Sequence, residues 1–367
     1  MATPTYDDPV TQVAQMYPLG TGTSSANSVL SSTSTNPNIN DGLHELIDPE
    51  TTPLATYPDP SQIANYREYN QAGLIINING SSSSPTVTVT AANGTSLTTA
   101  QTNAIKSAVT SKGTMYDMRE GKNVNVDNVN MSTLSTAITG TSSGSEISGF
   151  NGIVYVYDTT SSSTDQTIRL ENGGVLPGGT PATNYYTKGL TMVSSEPVYV
   201  QGDYNTGSTS STTGNVPTNT GTTGNPYVTN YSPVPAAVMG DAVMLLSNNW
   251  SDSNASNTNV SSRSASNTTY NMAILAGVVL STSSDYSGGA NNYPRFLEDW
   301  SSKTCTYYGS MAELFPSKTF TGTWDTGNIY SPPSRYWFYN TNYSQANGAP
   351  PGTLHVITYT RGSWQKF

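Results

Sequence analysis

Of 367 residues only 10% are charged, against roughly 25% in an average soluble domain. Asp plus Glu (24) outweigh Lys plus Arg (14), for a net charge of −10. The chain cannot neutralise many phosphates, which disfavours a nucleic-acid or anionic-membrane partner, and no window approaches 18 apolar residues, so no membrane span is encoded.

Ser, Thr, Asn, Gly and 24 Tyr take the place of the missing charge, a composition typical of surface and secreted proteins. The opening residues lack the basic and apolar stretches of a signal peptide. The chain then reads either as a mature or truncated fragment given a new Met or as a cytoplasmic product, and composition favours the first.

In chain order, residues 1–60 read as an extended or linker segment, with no hydrophobic period over 24–40. One apolar island, Gly42-Leu43-His44-Glu45-Leu46-Ile47, is able to dock on a neighbour. Residues 61–144 read as a small α+β module. Ile63, Tyr66, Tyr69 and Asn70 follow a Ser61 N-cap near helical spacing and predict a short helix over 61–71. Alternation predicts strands over 74–79 and 86–90, joined by a Gly/Ser turn. A helix over 98–109 burying Ala104, Ile105 and Ala108, a strand over 123–126 and a helix over 131–138 complete the module.

From 145 to 367 the reading is mainly β. Short apolar runs recur at 152–157, 167–170, 190–193, 198–201, 236–246 and 272–280, each bounded by Gly, Asn, Asp, Pro or Ser. Such runs, spaced by loops as unequal as 206–223, fit a right-handed parallel β-helix with a C-terminal cap. A β-sandwich is the alternative. Strand direction separates the two, because sandwich strands pair antiparallel through tight hairpins, and Asn-Gly signals such as Asn172-Gly173 are few. Residues 294–300 read as a short helix whose Phe296, Leu297 and Trp300 cover one end. The alternating run 354–360 predicts a last strand on the final coil, with Trp364 buried against it. Deleting 353–367 is expected to expose apolar surface and cost soluble protein.

Candidate sites are sparse. Cys305 is alone, which excludes a disulfide framework and a Cys-based metal site, and reads as a core thiol. His44 and His355 are far apart, with no Gly-x-Ser-x-Gly elbow or zinc-type His pair nearby, and read as structural. In Gln201-Gly202-Asp203-Tyr204-Asn205 the carboxylate beside a tyrosine is suited to a sugar hydroxyl or a calcium ion. Calcium needs six to eight oxygens, however, so Gly202 reads as a corner and Asp203 as a main-chain cap. Asp241, inside an apolar run, demands a partner such as Arg263 or Arg295, or main chain. Glu298 and Asp299 are adjacent and therefore diverge, which excludes a paired-acid role. Tyr330, Tyr336, Trp337, Phe338, Tyr339 and Tyr343 form either an adhesive or carbohydrate-stacking patch or a packed cap. No phosphate-binding loop or dinucleotide fingerprint is present, and no catalytic, cofactor or metal residue is assigned.

Several phrases occur in an ordered series: Asn151-Gly152-Ile153-Val154-Tyr155-Val156-Tyr157-Asp158, Gly189-Leu190-Thr191-Met192-Val193, and Pro197-Val198-Tyr199-Val200-Gln201-Gly202-Asp203-Tyr204-Asn205. Pro235-Ala236-Ala237-Val238-Met239-Gly240-Asp241-Ala242-Val243, Leu246-Ser247-Asn248-Asn249-Trp250 and Ala273-Ile274-Leu275-Ala276-Gly277 follow. Pro294-Arg295-Phe296-Leu297-Glu298-Asp299-Trp300 and Arg361-Gly362-Ser363-Trp364 end the series, and Tyr116-Asp117-Met118-Arg119-Glu120-Gly121-Lys122 and the island at 42–47 precede it. With these the chain resembles the extracellular region of large PilX-type, pilus-assembly-associated proteins of Gram-negative bacteria. The resemblance implies a minor-pilin-like surface protein whose apolar N-terminal helix, absent here, anchors a projecting β-helical region. It carries over no catalytic residue. The expected function is a non-enzymatic structural or adhesive ectodomain, extracellular or at the cell surface, partnered by other assembly subunits or a surface glycan and needing no cofactor. The alternatives are a polysaccharide-active β-helix enzyme, with Asp158, Asp203 and Asp241 aligned by stacking, and a carbohydrate-binding module using the aromatics at 330–343.

Overall fold

Over residues 153–246 the path of the chain alternates between two sheets in the computed structural model, which describes residues 44, 46–49, 65–80, 85–140, 144–178, 189–207, 233–279, 283, 287–324, 329–345 and 348–353. Three α-helices occur among these residues: α1 (Glu68–Gln71), α2 (Thr99–Ala108) and α3 (Met131–Thr139). The early strands are β1 (Leu74–Asn79), β2 (Thr86–Ala91), β3 (Val109–Asp117) and β4 (Lys122–Asn130). After α3 come β5 (Ile153–Asp158), β6 (Gln166–Glu171), β7 (Leu190–Val193), β8 (Val198–Gln201), β9 (Ala236–Gly240) and β10 (Val243–Leu246). The series closes with β11 (Thr268–Tyr270), β12 (Ala273–Val278), β13 (Thr304–Pro316) and β14 (Ser334–Tyr339). The fold is mainly β.

One sheet runs β11-β13-β12-β9-β7-β5-β1-β2, with β14 also on β13; the other runs β10-β8-β6-β4-β3. Among the described strands, β1–β2 and β3–β4 pair antiparallel and the other pairs are parallel. This is the direction that distinguishes the fold from an antiparallel sandwich. Register is kept along the parallel strands from β5 to β12, and it shifts at Ala276–Gly277 where β12 meets β13. Tyr155, Val193, Met239 and Leu275 form one row of the first sheet, and Leu170, Val200 and Leu245 one row of the second. The strands of the 61–144 region join the same sheets, β1 on β5 and β4 on β6.

The first sheet is covered on both faces, which explains apolar runs that do not alternate. Val154, Val156, Met192, Val238 and Ile274 enter the core between the sheets. Ile153, Tyr155, Val193, Ala237 and Met239 face outward into a second core, closed by Ile47, Ala72, Tyr69 and Tyr343 from the two ends of the sequence. At the β7 entry Gly189 takes φ +85°, and a Cβ there would overlap the Pro235 carbonyl.

Local chemistry accounts for several elements. Thr98 caps α2 in a reciprocal box: its hydroxyl accepts from the Gln101 N–H at 3.2 Å, and Gln101 Oε1 accepts from the Thr98 N–H at 2.9 Å. The run 236–246 is two strands, because Gly240-Asp241-Ala242 turns the chain from one sheet to the other. The predicted helix over 61–71 reduces, among the described residues, to α1, and residues 61–64 lie outside them. Strand β3 was not expected.

Residues 294–300 are not helical. Arg295 bridges Met244, and Asp299 bridges Ser264 and Ser331, so the segment runs extended along its neighbours. Phe296, Leu297 and Trp300 are buried as expected and belong to the main core. The runs 24–40 and 354–360, His355, Trp364 and most of the loop 206–223 lie outside the described residues. No described helix is long and apolar enough to cross a membrane.

Candidate functional site

The corner from β9 to β10 presents Asp241, whose exposure is 0%. A carboxylate in that setting must be compensated, and here it is compensated on every side. His44 Nε2 lies 3.1 Å from Oδ1, and the Ser317 hydroxyl donates to Oδ2 at 2.7 Å. The N–H of Lys318 donates to Oδ1 at 2.7 Å, and those of Thr319 and Phe320 to Oδ2 at 3.1 and 3.2 Å. His44 Nδ1 stands 3.1 Å from Asp48, which the Lys318 ammonium approaches at 3.2 Å. The Phe315 ring packs edge-on to the imidazole, 4.6 Å between centroids.

Burial alone would lower the pKa of His44, but the hydrogen bonds to Asp241 and Asp48 outweigh it and push the imidazole up to about 9. Burial likewise acts to raise the two aspartates, and the charged His44 overrides it and holds both below the ordinary range.

The loop that feeds Asp241 is gripped a second time. The N–H groups of Thr321 and Gly322 donate to Glu120 at 3.1 and 2.8 Å, so five consecutive amides, 318–322, end on two buried carboxylates. Glu120 pairs with Arg295 at 3.4 Å. Beside it Asp117 accepts from the N–H of Arg119 and Glu120, at 2.8 and 3.0 Å, and from the Tyr199 hydroxyl at 2.6 Å. Arg119 reaches Asn292 and, at 3.3 Å, the Phe296 carbonyl. Sequence reasoning missed this cluster as a site. The available signal was Tyr116-Asp117-Met118-Arg119-Glu120-Gly121-Lys122, a dense knot of charge in a chain that is only 10% charged.

Asp241 is not paired with Arg263 or Arg295; the partner is His44, with Ser317 and main chain. Arg263 instead donates to the carbonyls of Leu297 (2.8 Å), Ile329 (2.6 Å) and Asn257. Asp203 does bond main chain, accepting from Thr269 N–H at 2.8 Å, and Gly202 takes φ +80° at its corner. Asn205 donates to the Val234 and Asn271 carbonyls, each at 2.8 Å. Glu298 is enclosed and accepts from Ser247 N–H and hydroxyl at 2.6 Å each, while Asp299 is half-buried and accepts from Ser301 N–H.

Asp158 and Asp241 do occupy equivalent corners, with Glu196 between them: its Oε1 accepts from Asp158 N–H at 3.2 Å and its carbonyl from Asp241 N–H at 3.3 Å. Asp203 stands elsewhere, after β8, so the three acids do not form one row. The aromatic group is likewise divided. Tyr330 is buried and stacks on Phe296, Trp337 packs near Tyr307, Tyr336 and Phe338 meet edge-on at 4.4 Å, and Tyr339 is 54% exposed. Cys305 is buried, and burial pushes its thiol up to about 12.

Acid–base catalysis needs a group that reaches a substrate and has a proton to exchange there. His44 is enclosed, with a carboxylate at each ring nitrogen, and both Asp241 oxygens are engaged. What the cluster does is tie His44 and Asp48, the β9–β10 corner and loop 317–322 together. Among the described residues no group of three or more His, Cys, Asp or Glu is placed to hold a metal ion. No family model, curated protein or solved structure matches the chain.

Proposed function

We propose that the chain is a non-enzymatic structural or adhesive ectodomain of a pilus-like or other cell-surface assembly, built as a right-handed parallel β-helix. The observation that carries this reading is the use made of the few charges. In a chain only 10% charged, Asp117, Glu120, Asp241, Arg295 and His44 are spent inside, holding distant segments to stacked parallel strands. That is investment in a rigid body with a largely uncharged exterior. The PilX-type resemblance gives the assembly, and its partners are other subunits or a surface glycan.

A carbohydrate-binding module is the second reading, favoured by β14, where Tyr336 and Phe338 pack together and Tyr339 is the exposed ring. Aromatic faces of this kind give contact area at low entropic cost. A glycan array probed with the purified chain and with Tyr339→Ala tests this second reading: signal lost in the variant supports the module, and an array negative at high concentration removes it. For the surface reading, the anchor is the test. An apolar helix of about 20 residues encoded upstream of residue 1 in the gene supports it, and an upstream soluble enzyme domain contradicts it.

A further inference from the structure

After β14 the chain turns back across the outer face of the first sheet. Tyr343 donates to the Ala236 carbonyl of β9 at 3.3 Å, and Thr191 of β7 donates to the Pro351 carbonyl at 2.5 Å. Gly352 then settles over α1 and β5, so close that a Cβ on it would stand 2.9 Å from Glu68 Oε2 and 3.0 Å from Ile153 Cδ1. Residues 348–353 thus form a strap over Ile153 and Thr191.

Glu68 beneath the strap is 3% exposed, and its Oε2 has no hydrogen-bond partner among the described residues. Among the described residues no cation pairs with it. Arg67, which precedes α1, donates to the Asp48 carbonyl at 3.1 Å, and Asp48 is engaged with His44 and Lys318. The strap itself carries no ionisable side chain over 348–353. From β5, Ile153 faces the carboxyl, and beyond it the Tyr155 hydroxyl is committed to the Ile47 carbonyl; Tyr69 follows Glu68 on α1 and packs on Tyr155. A carboxylate sealed in without a cation is costly, so the closed site holds the acid in its neutral form.

We propose that Glu68 and the strap form a proton-operated latch, in which the neutral carboxyl lets residues 348–353 lie closed on the sheet and ionisation favours the lifted strap. Burial pushes Glu68 up to about 8, well above an open carboxyl. Because the closed-state value is raised, closure is at full strength below about pH 4.5 and is lost as pH rises through about 8. Lifting the strap uncovers apolar residues of the outer face, so alkaline medium offers a surface that acid medium hides. The latch is a property of the fold and stands whether or not the chain belongs to a surface assembly.

The test places a thiol under the strap. Thr191→Cys is made alone and together with Glu68→Gln, and each is labelled with 4,4′-dithiodipyridine, which reacts with thiols in acid and in alkali. Mass spectrometry follows position 191, with the buried Cys305 as the gauge of global opening. Relative to the double variant, labelling with Glu68 present is expected to rise on the order of a hundredfold between pH 5 and pH 8.5, while Cys305 stays protected. A ratio independent of pH overturns the latch, and so does labelling of Cys305 in step with position 191. Should Thr191→Cys fail to fold, thermal midpoints of wild type and Glu68→Gln decide: curves that diverge in favour of Gln above pH 5 support the latch, and parallel curves overturn it.

Discussion

His44 Nε2 and Asp241 Oδ1 are 3.1 Å apart although 197 residues separate them in sequence. The contact pins a segment from the start of the chain onto the corner between β9 and β10, beneath the loop that donates its own amides to the same carboxylate. Association of a buried charge pair with this many hydrogen bonds makes each partner costly to remove, whatever the net worth of the pair.

His44→Ala and Asp241→Ala are each expected to destabilise by about 3–5 kcal/mol, because either leaves a buried charged partner uncompensated. Denaturant unfolding checks this. The double variant should cost less than the sum of the singles, since the pair is one unit.

The lock also sets a pH window. The His44 value is raised, so its contribution is complete below about pH 6.5 and lost as pH rises through about 9. Asp48 and Asp241 are lowered, so theirs is present above about pH 3.8 and lost as pH falls. Burial raises Glu196 and Glu298 to about 7, and they also favour the fold in acid, with a contribution lost as pH climbs from about 4.5 through 7. Thermal midpoints should therefore peak on the acid side of neutrality, and His44→Gln should flatten the fall above pH 6.5.

The two carboxylates that share loop 317–322 give opposite footprints. Glu120→Ala should speed hydrogen exchange first at Thr321 and Gly322, and Asp241→Asn first at Lys318, Thr319 and Phe320. Glu120→Ala also strands Arg295 and should cost about 3 kcal/mol. Exchange followed by mass spectrometry or NMR reads both.

Gly189→Ala should destabilise by at least about 2 kcal/mol, since φ +85° and the nearby Pro235 carbonyl both oppose a side chain. Chemical denaturation measures it directly.

What could be read in the sequence was local. The helices α2 and α3 and the apolar runs that became β5 to β9 follow from propensity and period. Strand β3 was hidden because much of its length is polar and its partner, β4, supplies the pairing that makes it a strand. Asp241 could be recognised as a residue in need of a partner, but nothing near it in sequence identifies His44, which is brought there by the way the early segment covers the outer face. The charged arginines nearer in sequence were the natural expectation, yet Arg263 is occupied by carbonyls and Arg295 by Glu120. Residues 294–300 show the same override: spacing suggested a helix, and bridges to Met244, Ser264 and Ser331 hold it extended.

The proposed surface role is tested most directly by treating intact cells that express the protein natively with a membrane-impermeant amine-reactive biotin reagent, then recovering biotinylated protein and identifying it by mass spectrometry. A surface ectodomain predicts that lysines of this chain, such as the half-exposed Lys122 and Lys318, are modified on intact cells as readily as after lysis. Modification only after lysis, with a cell-surface marker labelled normally in the same sample, would contradict that role.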